Sequence, residues 1–398
     1  MNHTLRRTAH SLSRLGASAA IFALLAACVG APRAAAPSDR EVQQAARDRV
    51  TQKLPPRPTP MPQPSASVPP PAYVPAPPRV AQADPVLAAR LAALGRAFPG
   101  DVGIAVRDVH EGWVASHNGR ALMPQQSVSK LWVAIALLDA VDKGRVRLND
   151  PVTVTPSDFT VFHQPISGAL RGGEFRTTVG DLLYRAMTQS DNTANDMLLW
   201  KAGGPAAVRA VLARGDVRDV RFGPGERLLQ SGIAGLTWQP GYSVGNAFYA
   251  ARGSLPASVR ESAFRRYLAD PVDGASAEGI ADGLAKLKRG QLISQEAAQR
   301  LLTVMYASKT GPNRMKSGAA PGWLIAHKTG TGQVLNGVQA GYNDVGLVTA
   351  PDGSTYAVAV MIGRTGVGLP TRMRLMGDVV RAVVDHEARS QLGAYGSR

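Results

Sequence analysis

Cysteine is almost absent: the 398 residues contain one, Cys28. A single cysteine excludes an internal disulfide framework and a cysteine-built zinc cluster. The 7 histidines and the acids show no ligand spacing such as His-x-x-x-His, so neither a metal nor a cofactor is expected. Acidic residues are outnumbered 29 to 45 by Lys and Arg, giving a net charge of +16. Yet the basic residues form no block of five and do not interleave with aromatics, which argues against a nucleic-acid partner. The sequence has no internal repeat, and its N-terminal apolar run, residues 20–27, is too short to cross a bilayer. The hydrophobic fraction, 44%, suffices for a core in one large domain or two ordinary ones.

That short run reads as part of an export signal. Residues 1–27 carry Arg6, Arg7 and Arg14 and no acid before the apolar stretch. The stretch ends in Leu25-Ala26-Ala27-Cys28, which resembles a bacterial lipoprotein signal, with Cys28 lipidated as the mature N-terminus. Val29, in place of Asp, then points to the outer membrane of a Gram-negative cell. The plainer alternative is an incidental cysteine behind an ordinary signal peptide. Cleavage removes three positive charges and no negative ones, leaving 16 − 3 = 13. The expectation is a monomeric periplasmic protein, attached to the membrane through Cys28.

Ser38–Leu54 has the makings of a short polar helix. Residues 55–85 hold 13 prolines in 31 positions, which removes donors and fixes φ, so 28–85 is expected to be a polyproline-rich tether. The folded body follows, over residues 86–390. Helical spacing is expected at Leu87–Phe98, and strand alternation at Asp101–Val109 and Gly112–His117. Helices are then expected at Leu131–Lys143, Val179–Thr188, Ala194–Ala202, Pro205–Arg214 and Ile280–Tyr306. Strands return at Trp323–Thr329, Gly341–Thr349 and Thr355–Gly363, before a closing helix at Arg372–Ala388. Strands at both ends with helices between imply an α+β fold of two subdomains. One antiparallel sheet comes from residues 86–126 and 306–390, and a helical part, 127–305, is inserted between its halves.

Three short motifs carry chemistry. Ser127-Val-Ser-Lys130 places a serine and a lysine one turn apart at a helix N-terminus, where the lysine can take the hydroxyl proton. Ser129 has the wrong spacing to share Lys130. In Ser190-Asp-Asn192, Ser190 is placed to relay a proton to a leaving nitrogen and Asn192 to hold an amide, although the tripeptide also suits a helix N-cap. Lys-Thr-Gly occurs twice. Lys309-Thr-Gly-Pro312 reads as a helix stop. Lys328-Thr329-Gly330-Thr331 follows a strand, where small residues let a substrate lie along the edge. There Lys328 supplies charge, Thr329 and Thr331 supply hydroxyls, and the N–H groups of Ser127 and Thr331 form an oxyanion pair.

Together, and in this order, the motifs resemble those of the class A β-lactamases and penicillin-binding proteins. The resemblance continues through Gly203-Gly-Pro205, Glu226-Arg-Leu-Leu-Gln230, Asp270-Pro-Val-Asp273-Gly, Pro321-Gly-Trp323 and Ala350-Pro-Asp-Gly353. It implies that Ser127 is the acylated nucleophile, Lys130 a proton shuttle and Ser190 the donor to the leaving nitrogen. Glu226 would activate the water that releases the acyl group. Asn192, Gln230, Lys328, Thr329, Gly330 and Thr331 would bind substrate, a β-lactam or a peptidoglycan peptide.

Four positions depart from the family pattern. Gln230 stands where an Asn is usual, and Pro224 where an Arg often braces the acid matched by Asp273. The 46 residues between Glu226 and Asp273 exceed the usual number by about thirty, and are expected beside the active-site mouth. Asn343 lies near the place of a common carboxylate-binding Arg, for which Arg364, Arg372 or Arg374 are the candidate substitutes. Besides a serine β-lactamase, two readings stay open at this level: a D-Ala-D-Ala peptidase with the same serine, and a non-catalytic envelope binding protein.

Overall fold

A computed structural model describes residues 82–396. The signal segment, Cys28, the polar helix at 38–54 and nearly all of the tether lie outside the described residues. The body contains α1 (Pro85–Ala97), β1 (Asp101–Asp108), β2 (Val114–His117), β3 (Met123–Pro124), α2 (Lys130–Asp142), β4 (Pro151–Val154), β5 (Phe175–Thr178) and α3 (Val179–Thr188). Next come α4 (Asn192–Lys201), α5 (Gly204–Arg214), α6 (Glu226–Ala234), α7 (Ala247–Ser254), α8 (Ala257–Ala269), β6 (Gly274–Ala275), α9 (Ala277–Lys288) and α10 (Gln295–Tyr306). The chain closes with β7 (Leu324–Thr331), β8 (Val334–Leu335), β9 (Val338–Thr349), β10 (Thr355–Thr365) and α11 (Leu369–Gly396).

The main sheet has six strands in the order β2-β1-β10-β9-β7, with β8 paired to β9. All of its pairs are antiparallel, and β1 joins β10, so both chain ends build it. Alternation along β10 assigns its side chains to two cores. Ala357, Ala359 and Met361 face the core that contains α2 and α9, and the small alanines admit a helix close to the strand. Val358, Val360 and Ile362 face the other core, made with Leu87 and Leu91 of α1 and Met376, Val379 and Val383 of α11.

Helix α2 is apolar on all sides and correspondingly central: residues 130–140 are all buried. It carries Lys130 into the interior on its first turn. Helix α1 is capped by Asp84, whose carboxylate accepts from Val86 and also bonds His386 and Arg389 of α11. Arg90 and Asp385 add an ion pair between the same two helices.

Two expectations need correction. The helix read over 280–306 is two helices, because Gly290 takes φ +67° and Ser294 caps a new start at Gln295. The part read as mainly helical also holds two-stranded ladders, β4 with β5, and β6 with β3 from the sheet half. Their short strands give too few alternating positions to register as a pattern. No helix among the described residues is long and apolar enough to span a membrane.

One close approach fixes the rim of the sheet. A Cβ on Gly318 would lie 2.1 Å from the carbonyl oxygen of Gly377 in α11, so the helix rests directly on the turn Met315–Gly318. Gly318→Ala is therefore expected to lower unfolding free energy by about 1–3 kcal/mol, read from urea denaturation.

Candidate active site

Ser127 stands in the single helical turn Gln126–Ser129 that leads into α2. Lys130 is fully buried, and its Nζ donates to Ser127 Oγ at 2.8 Å and to Glu226 Oε1. The hydroxyl of the neighbouring Ser129 donates instead to the Gln126 carbonyl at 2.7 Å. Glu226 opens α6 after Gly225, whose φ of +99° turns the chain inward. The backbone N–H of Glu226 donates to Asp196 at 2.8 Å, so an acid from α4 seats the first turn of α6.

Gln230 lies one turn further along α6. Its Nε2 donates to Glu226 Oε2 and Gln126 Oε1, and its Oε1 accepts from Gln333 at 3.0 Å. The longer side chain is thus accommodated by glutamines on both sides. Asp273 has no arginine partner: it accepts from the Gln126 N–H at 2.8 Å and from the Tyr267 hydroxyl at 2.9 Å. Tyr267, from the inserted segment, supplies the brace for which Pro224 has no side-chain donor.

Ser190-Asp-Asn192 leads into α4 at the cavity wall. Asp191 is the N-cap, accepting from Ala194 at 2.9 Å, while Ser190 and Asn192 line the cavity. Ser190 takes φ +60° at the end of α3, and Lys328 donates to its Oγ at 2.9 Å. Asn192 Nδ2 donates to the Val161 carbonyl at 2.8 Å.

Lys328 to Thr331 occupy β7, the edge strand of the sheet. Gly330 is needed there because a Cβ would meet the Gln125 carbonyl at 2.4 Å, just before the turn that carries Ser127. Burial, with Lys130 and Arg314 nearby, pushes the Lys328 ammonium well below its usual range. The other Lys-Thr-Gly ends α10 as expected, but Thr310 also lines the cavity and its hydroxyl lies 2.8 Å from that of Thr329.

The arginine at this edge is Arg314, which sequence reasoning missed. Its Nη1 donates to the carbonyls of Gly330 and Asn343, its Nη2 to Thr331 Oγ1 at 2.7 Å, and it stacks 3.8 Å from the Tyr342 ring centroid. The three arginines considered instead do not line the cavity. Arg364 pairs with Asp101 at 3.0 Å, Arg372 bonds Val367 and Gln339, and Arg374 is exposed. The signal for Arg314 is its place between the two Lys-Thr-Gly copies, in a turn that no periodicity marks.

Ser127, Ser190, Asn192, Thr329, Thr331 and Arg314 line one cavity of about 570 Å³. It holds a serine with a lysine and a carboxylate behind it, and cations and hydroxyls along a strand edge, as acyl transfer to an anionic amide requires. A model described as the β-lactamase enzyme family matches residues 86–386.

The chain belongs to this family.

Among its relatives, β-lactamase VEB-1 of Pseudomonas aeruginosa is 24% identical over 281 residues, spanning 70% of this chain and 83% of the relative. The extended-spectrum β-lactamase PER-1 of the same organism is 27% identical over 270 residues, 67% of this chain and 76% of the relative. A solved β-lactamase from Chitinophaga pinensis superposes with a TM-score of 0.60 at 26% identity, covering 75% of this chain and 97% of that one. The TLA-3 extended-spectrum β-lactamase, at 20% identity, shares the fold with a TM-score of 0.62 over 75% of this chain and 98% of its own.

Two buried acids support the site of this β-lactamase-family enzyme at a cost. Burial raises Asp273 from 3.8 to about 6, against the bonds from Gln126 and Tyr267 that oppose the rise. Asp196 is likewise raised to about 6, by burial and then by the Glu226 charge. An acid with its folded pKa above its unfolded value binds the extra proton in the folded state between the two. Its contribution to stability therefore falls as pH rises from about 4 to about 6 and is level above that. Asp273→Asn is expected to make that decline shallower by about 1–3 kcal/mol, measured by urea unfolding at pH 4, 5, 6 and 7.

Proposed function

We propose that this β-lactamase works through an acyl-enzyme on Ser127, with Lys130 and Glu226 as the proton path. The observation that carries this reading is the bond from Lys130 Nζ to both Ser127 Oγ and Glu226 Oε1. An ammonium cannot accept a proton, so Lys130 first gives one to the carboxylate it touches and then takes that of Ser127. Ser127 Oγ attacks the lactam carbonyl, and the N–H groups of Ser127 and Thr331 hold the developing oxyanion. As the C–N bond breaks, Ser190 gives its proton to the lactam nitrogen, and its link to Lys328 steadies the alkoxide left behind. Lys328, Thr329, Thr331 and Arg314 take the ring carboxylate, and Asn192 the side-chain amide. The proton that Lys130 took from Ser127 passes to the Ser190 alkoxide, and Glu226 returns its own to Lys130. The freed carboxylate then draws a proton from a water that attacks the ester, and that proton goes to Ser127 Oγ as it leaves.

A D-Ala-D-Ala peptidase would share the first half of this path. The reading as a lactamase rests on Glu226, held at the serine by Asp196 and Gln230. Intact-mass and turnover measurements with a penicillin and a chromogenic cephalosporin separate the two. Ser127→Ala is expected to lose both adduct and turnover. Glu226→Gln is expected to slow turnover at least about a hundredfold; a penicilloyl adduct that accumulates in it assigns Glu226 to deacylation alone, and its absence assigns Glu226 to the acylation path as well. Unchanged turnover in Glu226→Gln removes it as the deacylation base, and a lasting adduct on the native enzyme favours the peptidase.

We further place the enzyme in the periplasm on a lipid anchor at Cys28. The support is sequence alone: the basic start, the apolar run and Leu25-Ala-Ala-Cys28. Cys28→Ala is expected to move the protein from the membrane fraction to the soluble periplasmic fraction. If the native protein is itself soluble there, the anchor is not made.

A further inference from the structure

Beyond Gln230, the long segment between Glu226 and Asp273 adds two side chains to the active-site cavity, Tyr249 and Arg252. Both belong to α7. That helix is seated by Phe248, whose ring meets Phe162 at 4.8 Å in an edge-on contact. Phe162 follows Val161, the residue whose carbonyl accepts from Asn192. Helix α7 is thus held beside the Asn192 wall, apart from the β7 edge where Lys328 and Arg314 gather.

Arg252 lacks the partners of a structural arginine. Its Nε and Nη2 are buried and make no hydrogen bond. No carboxylate among the described residues pairs with it, and its charged neighbour is another arginine, Arg260 of α8, whose Nε is also unpartnered. Burial and that neighbour both disfavour the charged form of Arg252. Water at the cavity mouth can satisfy donors, but only an anion also offsets the charge.

We propose that Arg252 is a specificity residue that binds a second carboxylate, carried on the acylamido side chain of a dianionic β-lactam. The inference rests on the Ser127 acyl-enzyme reading. A lactam with one carboxylate uses Lys328 and Arg314 and leaves Arg252 idle. A dianionic lactam engages both walls, with Tyr249 and Phe162 flanking the side chain.

Benzylpenicillin and α-carboxybenzylpenicillin differ by this one group. Arg252→Gln is expected to lower kcat/KM for the α-carboxy compound by about tenfold or more, mainly through KM, and for benzylpenicillin by less than about threefold. Arg252→Lys is expected to recover part of the loss, with the melting temperature of both variants near that of the native enzyme. Equal losses on the two penicillins, or none, overturn the proposal. Calorimetry with Ser127→Ala, which cannot be acylated, reads the preference without turnover and with Arg252 intact. Tighter binding of the α-carboxy compound supports the proposal, and equal binding overturns it. Absence of benzylpenicillin turnover in the native enzyme would instead count against the acyl-enzyme reading, leaving the binding comparison to decide on Arg252.

Discussion

Lys130 is a cation with no exposed surface, and the site is arranged to keep it there. A buried ammonium is tolerated only with an anion and hydrogen-bond acceptors around it. Glu226 provides the anion, and Ser127 an acceptor. Asp196 holds the start of α6 so that Glu226 reaches inward, and the apolar helix α2 fixes the lysine's backbone. Lys328 is equally buried but touches only oxygens of Ser190 and Thr329. Buried, with no anion bonded to it and with Lys130 and Arg314 nearby, the Lys328 ammonium is held below its usual range. A substrate that brings its own carboxylate supplies the anion that Lys328 lacks.

The floor beneath this pair is polar and closely tied. Gln126, Gln230 and Gln333 hydrogen-bond in a chain that reaches Glu226, and Gln126 also holds Tyr267 and Asp273. Gln126 itself sits at φ +53°, immediately before the nucleophile. The strain of a non-glycine residue there is sustained because its N–H and its side chain are both engaged. The loop that would otherwise need an arginine is held by a tyrosine delivered from the inserted helices. Pro224, which has no side-chain donor for Asp273, thus has its counterpart in Tyr267, forty-three positions away.

Much of this was legible without coordinates. Apolar alternation in 101–109 and 355–363 marks strands, and the order of Ser127, Ser190 and Lys328 marks one site, because acyl transfer needs those groups together. Other features are not local. Arg314 gains its place from a turn resting on α11, which nothing near residue 314 signals. The break at Gly290 was hidden by apolar residues on both sides that continue a helical rhythm. Thr310 looked like part of a helix stop because its partner Thr329 is brought to it only by the pairing of distant elements. Arg252 lies among the 46 residues between Glu226 and Asp273, but only packing shows that its Nε and Nη2 are buried without a partner.

The contacts between α1 and α11 bear on how force enters the enzyme. At the start of α1 Asp84 is clamped to His386 and Arg389, and nearly two turns later Arg90 grips Asp385. These helices cover the sheet face that does not pack on α2. A pull on the N-terminal side of the body is thus borne by a helix pair and spread into the sheet from behind. The turn that carries Ser127 packs with α2 on the opposite face, so a pull at Asp84 meets the clamp between α1 and α11 before it reaches that turn.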